Sequence, residues 1–118
     1  MKIILETDVR AEEPVPHGRI GMSTAYRLTD QVPNRTMEFR RRTLHPDAAI
    51  GLHPIEHDEV YYILSGEGIV EADGEKRHVT AGAMAYLYAG ENVGIRQIGD
   101  DPLDVIVSYP VVPSARRP

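Results

Sequence analysis

The sequence predicts an all-β domain, a sandwich or barrel of short strands, on three observations. Turn residues recur roughly every 8 to 12 residues between strand-length segments, which is typical of such folds. The dipeptide Asp73-Gly74 stands between two of these segments and favours a hairpin, because a type I′ turn needs a positive φ at both central positions. No segment carries the 3.6-residue apolar periodicity of an amphipathic helix. Strands joined by turns are therefore expected through most of the chain.

The elements follow in order along the chain. Residues 12–18 hold two prolines and are predicted to form a loop or an extended arm. The predicted strands cover residues 23–28, 37–44, 59–64, 68–72, 75–79, 83–88, 93–98 and 103–109. Residues 110–118 hold three prolines and two arginines and are predicted to be a flexible tail. We expect one domain, with an amino-terminal arm and first strands over 1–36 and the main barrel over 37–109.

Composition and charge exclude several classes of function. The net charge of -5 argues against a nucleic-acid-binding protein, which needs a cationic face. No apolar run approaches the roughly 20 residues that span a membrane. The chain has no cysteine, which excludes disulfides and zinc–sulfur sites. Since the first apolar run is also too short for a signal peptide, the cytoplasm is the expected location.

The most informative stretch runs from residue 53 to residue 68. His53, His57 and Glu59 lie within seven residues, just before an apolar strand and a glycine turn. Two imidazoles and a carboxylate suit a divalent iron, nickel, zinc or manganese ion. The alternative for His57 is a surface turn, because acidic residues flank it on both sides. The alternative for His53 is a histidine that is hydrogen-bonded in a pocket without a metal.

The spacing of residues 44–109 resembles that of the cupin superfamily, specifically its small single-domain members. His53, Glu59 and Gly66 fit the first motif of that family, and Gly82, Gly90 and Gln97 lie in the frame of the second. The resemblance implies a double-stranded β-helix, a jelly-roll barrel closed around a pocket, here with an extended amino-terminal arm. It also implies a metal held by three histidines and one glutamate. Ile55 and Val93 replace two of those four ligands, so the barrel is implied more firmly than the metal.

Glu59 opens its strand and is expected to face the interior together with Tyr61. A buried carboxylate without a cation is costly unless it is protonated or paired. Glu59 therefore needs a metal, an arginine from a neighbouring strand, or a raised pKa. A raised pKa would suit general acid–base catalysis with His53 as the partner.

Other side chains are candidates for binding a ligand. If the face that carries Met37 and Phe39 is interior, Arg41 enters the pocket and binds a carboxylate or phosphate; otherwise the basic run is solvated. Aromatic rings and an amide are further candidates to line the cavity, although sheet packing is the alternative for the rings: Tyr61, Tyr86, Tyr88 and Gln97. His17, His45 and His78 lack partner spacing and are expected to be structural.

Three functions stay open on these residues. The first is a protein that binds a small polar molecule, such as a sugar, a sugar acid or a carboxylate, in the barrel. The second is a metalloenzyme (a dioxygenase, lyase or isomerase) that uses His53, His57 and Glu59 with one divalent metal. The third is a metal-free isomerase with Glu59 and His53 as an acid–base pair. A homodimer is expected, because open sheet edges favour pairing between subunits.

Overall fold

The computed structural model describes residues 1–111, which form two antiparallel sheets and one short helix. The helix, α1, covers Glu6–Val9, and no helix within the described residues is long and apolar enough to cross a membrane. The strands are β1 (Arg10–Pro14), β2 (Met22–Tyr26), β3 (Met37–Leu44), β4 (Ala49–Pro54), β5 (Glu59–Ser65), β6 (Glu67–Ala72), β7 (Glu75–Thr80), β8 (Met84–Leu87), β9 (Asn92–Ile98) and β10 (Leu103–Pro110).

The two sheets face each other as a jelly roll. One sheet has the strand order β1-β2-β3-β10-β5-β8 and the other the order β4-β9-β6-β7. From β3 onward the chain changes sheet at every connection except the β6–β7 hairpin. Apolar side chains from both sheets fill the space between them, including Leu44, Ile63, Ile95, Leu103 and Val105. The predicted all-β fold is therefore confirmed.

The turn between β6 and β7 is the predicted hairpin. Ala72 and Glu75 face each other as the last pair of the antiparallel ladder. Between them Asp73 has φ 48° and Gly74 has φ 87°, so both central positions take the left-handed conformation that this tight turn requires.

Two strands were not predicted from the sequence. β1 begins at Arg10 and takes in the first part of the expected loop over 12–18, and β4 covers the segment before His57. Each is the edge strand of its sheet, and each ends on a proline, Pro14 or Pro54. Proline is tolerated at sheet edges because no ladder hydrogen bond is lost there, so prolines near these segments did not mark loops.

A pocket position for Arg41 required the face of β3 that carries Met37 and Phe39 to be interior. The opposite face of β3 is the interior one. Met37 and Phe39 are exposed, by 60% and 42%, whereas Glu38 and Arg42 are buried. The premise that the Met37 and Phe39 face is interior was therefore wrong. Alternation along a strand shows which side chains share a face, but it does not show which face is covered.

The end of the described chain continues the sheet. Pro110 is the last residue of β10, and the amide of Val111 donates a hydrogen bond to the carbonyl oxygen of Thr36 at 3.0 Å. The predicted flexible tail over 110–118 otherwise lies outside the described residues, which end at 111.

Candidate functional site

A cavity of about 330 Å³ lies between the six-stranded sheet and β4. Its walls include Ile50 and Ile55 on the side of β4 and Val107 on the side of β10. Both isoleucines are buried. This volume is at the lower end of the range for small-molecule sites in proteins.

Basic side chains predominate in the lining of the cavity. Four arginines and three histidines contribute to it, against two carboxylates: Arg27, Arg40, Arg41, Arg42, His17, His53 and His57, with Glu56 and Glu59. The predicted site residues His53, His57, Glu59 and Tyr61 are therefore brought together around one cavity.

Glu59 occupies the first position of β5, opposite Leu87 of β8. Its side chain is only 6% exposed. Burial raises the pKa of the Glu59 carboxyl, and nearby His53 and His57 oppose this effect in part. The carboxyl is therefore held closer to its protonated form than an exposed glutamate would be.

Tyr61 follows on the same face of β5 and is 1% exposed. Its hydroxyl is buried and has no hydrogen-bond partner within the described part of the chain. Burial raises the pKa of Tyr61, and the negative charge of Glu59 raises it further. The hydroxyl is accordingly neutral. The Glu59 carboxyl on the same face of β5 lies close enough to interact with this hydroxyl, although the two make no hydrogen bond of ordinary geometry.

Two histidines of the predicted site stack on other rings. His53 lies in β4 opposite Val93, and its Nδ1 is 2.8 Å from the carbonyl oxygen of Gly51. Its ring stacks on that of His17, with centroids 3.6 Å apart. His57 stacks on Tyr109 with centroids 4.5 Å apart. These contacts fix the planes of both imidazoles.

An arginine–glutamate network closes one side of the cavity. The buried Arg42 donates hydrogen bonds to Ser23 Oγ at 2.9 Å and to Glu13 Oε1 at 3.1 Å. Arg27 also pairs with Glu13. The hydrogen bond from Arg27 is the main cause that lowers the pKa of Glu13, and Arg42 adds to it. One carboxylate thus balances two guanidinium groups.

Arg40 has some of its donors paired and one that finds no partner in the described part of the chain. One of its terminal nitrogens donates to Asp30 Oδ1 at 3.0 Å and lies 3.5 Å from a carboxylate oxygen of Glu38. The guanidinium carbon lies 5.9 Å from the centre of the Tyr109 ring. Its Nε is buried and has no partner among the described residues.

Three predicted ligand-binding side chains either make other contacts or lie outside the cavity. The guanidinium of Arg41 pairs with Asp104 and Glu6, although Arg41 contributes to the lining of the cavity. Tyr86 and Tyr88 are 47% and 61% exposed and do not line this cavity, contrary to the prediction. They lie on β8 and in the turn after it, and the Tyr86 hydroxyl donates to Asp58 at 2.6 Å.

Gln97 is buried, but its hydrogen bonds connect loops and do not reach the cavity. Its Oε1 accepts from the amide of Asp47, and its Nε2 donates to the carbonyl oxygens of Gly99 and Asp101, each at 2.8 Å. Its role in ligand binding stays a prediction that these contacts do not favour.

The sequence reasoning missed several residues of the cavity: His17, Arg27, Arg40, Arg42 and Tyr109. The basic run around Arg41 was a usable signal, but the wrong face of its strand was assumed to be interior. His17 and Arg27 lie far from residue 53 along the chain, and no spacing in the sequence connects them to it.

This double-sheet roll with a cavity on its inner face belongs to a known family. The cupin domain matches residues 40–109 of the chain, more than half of its length, so the chain belongs to the cupin family. The expected resemblance is confirmed.

One relative by sequence and two solved structures show what the chain is similar to. An oxalate-binding protein of Thermotoga maritima is 34% identical over 74 residues, which cover 62% of this chain and 61% of that protein. A predicted oxalate decarboxylase of Thermotoga maritima superposes with a TM-score of 0.81 at 24% identity, over 94% of this chain and all of the other. A cupin of Shewanella frigidimarina superposes with a TM-score of 0.73 at 16% identity, over 98% of this chain and 96% of the other.

Cupins commonly hold a divalent metal, but the predicted ligands here do not fit one. Within residues 1–111, no three histidine, aspartate or glutamate side chains are grouped closely enough to hold a metal ion. The positions of the other two ligands carry Ile55 and Val93, which are buried and have no donor atom. His57, the remaining candidate ligand, stacks on Tyr109. The residues present therefore do not form the four-ligand set of a cupin metal site.

Proposed function

We propose that this chain binds a small carboxylate, a class that includes sugar acids, in the cavity between β4 and the six-stranded sheet. The observation that supports this most is the excess of arginine and histidine around a partly apolar cavity. Guanidinium groups bind carboxylates through charge-assisted hydrogen bonds, which are stronger in a site removed from bulk water. The name of the oxalate-binding relative supports the same class of ligand.

Among the basic residues, Arg40 is the best candidate for the main contact. Arg42 already binds Glu13 and Ser23, and Arg27 shares the same glutamate. Within residues 1–111, the buried Nε of Arg40 has no hydrogen-bond partner. A ligand carboxylate would therefore add a hydrogen bond at Arg40 without displacing the existing network.

Calorimetric titration with oxalate and with glucuronate tests the proposal, with uncharged oxamide as the control ligand. We expect saturable binding of at least one acid and none of oxamide. In an Arg40→Gln variant the affinity should fall about tenfold or more, because hydrogen bonds to charged groups contribute about 1.5 to 3 kcal/mol. Arg77→Gln, which changes an arginine exposed on β7, should bind like the original chain. Failure of both acids to bind, or equal losses in the two variants, would reject the proposal.

A second candidate is metal-free acid–base chemistry with Glu59 and His53. It is favoured by the buried Glu59 carboxyl, whose pKa is raised and which lies close enough to His53 to interact with its charge. Such a pair would exchange the protons next to a ligand carbonyl. Proton NMR of pyruvate in D₂O should then show catalysed exchange of the methyl protons, lost in Glu59→Gln. An unchanged exchange rate in that variant would exclude the pair.

We also propose a homodimer that uses the outer face of the six-stranded sheet. That face presents large apolar side chains to solvent, among them Phe39, Tyr62 and Met84, which are 42%, 39% and 56% exposed. Light scattering should give about twice the chain mass of 13.1 kDa. A monomeric mass at high protein concentration would contradict the dimer.

The cytoplasmic location and the metalloenzyme that uses His53, His57 and Glu59 stay predictions.

A further inference from the structure

Three residues of the cavity lie side by side across the inner face of the six-stranded sheet. Arg40 of β3 pairs with Val107 of β10, and Val107 pairs with Tyr61 of β5. Residues directly opposite in an antiparallel sheet project to the same side, and all three line the cavity. Adjacent strands are about 4.8 Å apart, so the backbones of Arg40 and Tyr61 are separated by roughly 10 Å. The short valine between them leaves a gap that two longer polar side chains flank.

Both flanking side chains carry an unsatisfied polar atom. Within residues 1–111, the buried side-chain nitrogen and oxygen atoms without a hydrogen-bond partner are Arg40 Nε and the Tyr61 hydroxyl. Such atoms are rare in folded proteins, because each costs about 1 to 3 kcal/mol. Their position on one row of the sheet, beside a cavity, indicates a ligand group that accepts hydrogen bonds from both.

The opposite wall of the cavity has a different character. Ile50 and Ile55 face the row from the side of β4, and both are buried. The cavity of about 330 Å³ is also larger than oxalate requires. One water molecule takes about 30 Å³ of liquid volume, so a dianion of six heavy atoms fills at most about 180 Å³. The remaining space borders apolar side chains.

We propose that the row of Arg40, Val107 and Tyr61 anchors the carboxylate of a monocarboxylic acid whose apolar remainder lies against Ile50 and Ile55. This inference rests on the proposed carboxylate-binding function and specifies its ligand class. The carboxylate accepts hydrogen bonds from Arg40 and from the Tyr61 hydroxyl above Val107. The apolar remainder, of several carbon atoms, fills the space that a compact dianion leaves empty.

Calorimetry with phenylacetate, oxalate and phenylacetamide tests the ligand class. We expect phenylacetate to bind at least tenfold more tightly than oxalate, because its ring buries apolar surface that oxalate lacks. Phenylacetamide, which has the same shape without the charge, should bind at least tenfold more weakly than phenylacetate. If oxalate binds as tightly as phenylacetate, the ligand class is wrong while the carboxylate-binding function stands. If neither acid binds, the ligand class is wrong, and the glucuronate titration decides whether the carboxylate-binding function stands.

Two adjacent tyrosines provide a matched test of the anchor. Tyr61→Phe removes the inner hydroxyl and should weaken phenylacetate binding about tenfold. Tyr62→Phe removes a hydroxyl from the outer face and should leave binding unchanged. The Tyr61→Phe protein should fold, because the hydroxyl that it loses has no partner within the described chain. Equal affinities in the two variants would overturn the anchor.

Arg40→Lys gives an independent test of the same anchor. Lysine keeps the positive charge but has no equivalent of the Nε donor or of the planar guanidinium. We expect a loss of phenylacetate affinity of about tenfold, with little change in the unfolding midpoint. Unchanged affinity in Arg40→Lys would show that charge alone attracts the ligand and would overturn the anchoring role of Nε.

Discussion

The imidazole rings of His17 and His53 stack almost in parallel, with centroids 3.6 Å apart and an angle of 4° between their planes. The contact joins the connection between β1 and β2 to the edge strand β4. A Cβ atom on Gly51 would lie 1.8 Å from the carbonyl oxygen of His17, so the approach requires glycine at that position. The amino-terminal part, expected to be an arm, therefore forms a wall of the cavity.

This stack should make stability depend on pH through His17. Burial, with the charges of His53 and Arg42, lowers the pKa of His17 below its usual 6.5. Protons then bind the unfolded chain more readily, so the free energy of unfolding should fall as the pH drops below about 6.5 and level off beneath the folded-state pKa. Urea unfolding at pH 7.5 and pH 5.5 should show a smaller decrease for His17→Gln than for the original chain. His78→Gln, which changes a half-exposed histidine on β7, should retain the full decrease. Equal decreases in the free energy of unfolding in the two variants would contradict the prediction.

Glu59→Gln should stabilise the protein at neutral pH. The raised pKa of Glu59 means that the folded state resists its ionisation, so the ionised carboxylate lowers stability as the pH rises from about 4.5 through the folded-state pKa. Removing the charge should raise the free energy of unfolding at pH 7 by about 1 kcal/mol, and this gain should vanish at pH 4. Thermal unfolding at both pH values measures it. The exposed Glu56→Gln is the control, and a loss of stability in Glu59→Gln at pH 7 would show that the carboxylate is compensated.

Glu13→Ala should destabilise the protein by about 2 kcal/mol, because it leaves the buried Arg42 and the half-buried Arg27 without their shared carboxylate. Urea unfolding measures this change. The comparison is Glu75→Ala, which breaks the solvent-exposed pair with Arg77 and should cost less than about 0.5 kcal/mol. Similar effects in the two variants would show that the network at the cavity adds nothing to stability.

Protein purified without an affinity tag should contain well under one equivalent of iron, nickel, zinc or manganese. The reason is the donor set: Ile55 and Val93 occupy two ligand positions, and the ring of His57 stacks on Tyr109. Elemental analysis checks this expectation. One equivalent of metal that disappears in His57→Ala would contradict it and would support the metalloenzyme with His53, His57 and Glu59 as ligands.

The strands were largely predictable because turn chemistry marks where each one ends. β3 matches its predicted bounds, and the hairpin at Asp73-Gly74 has the expected positive φ values. β1 and β4 were missed because edge strands accept the prolines that otherwise indicate loops. The sequence pattern identifies strand ends better than it identifies a strand's place in the sheet.

The cavity was only partly predictable, because its interior contradicts the usual distribution of residues. On β3 the apolar Met37 and Phe39 face outward while Arg42 is buried, so hydrophobicity selected the wrong face. The inward orientation of Glu59 and Tyr61 was correct, because their strand begins with a recognisable motif and its other interior position, Ile63, is apolar. His17 lies in the connection between β1 and β2 and meets His53 only because the chain folds back on β4. No local pattern in the sequence predicts such a contact.

The most direct test of a carboxylate-binding cavity is a titration of the ¹⁵N-labelled protein with phenylacetate, followed by amide chemical shifts. We expect the largest shifts at Arg40, Tyr61 and Val107 and at Ile55 on the opposite wall, with saturation at one equivalent per chain. Shifts confined to the outer face, around Tyr62 and Met84, or no shifts with any carboxylate, would contradict it.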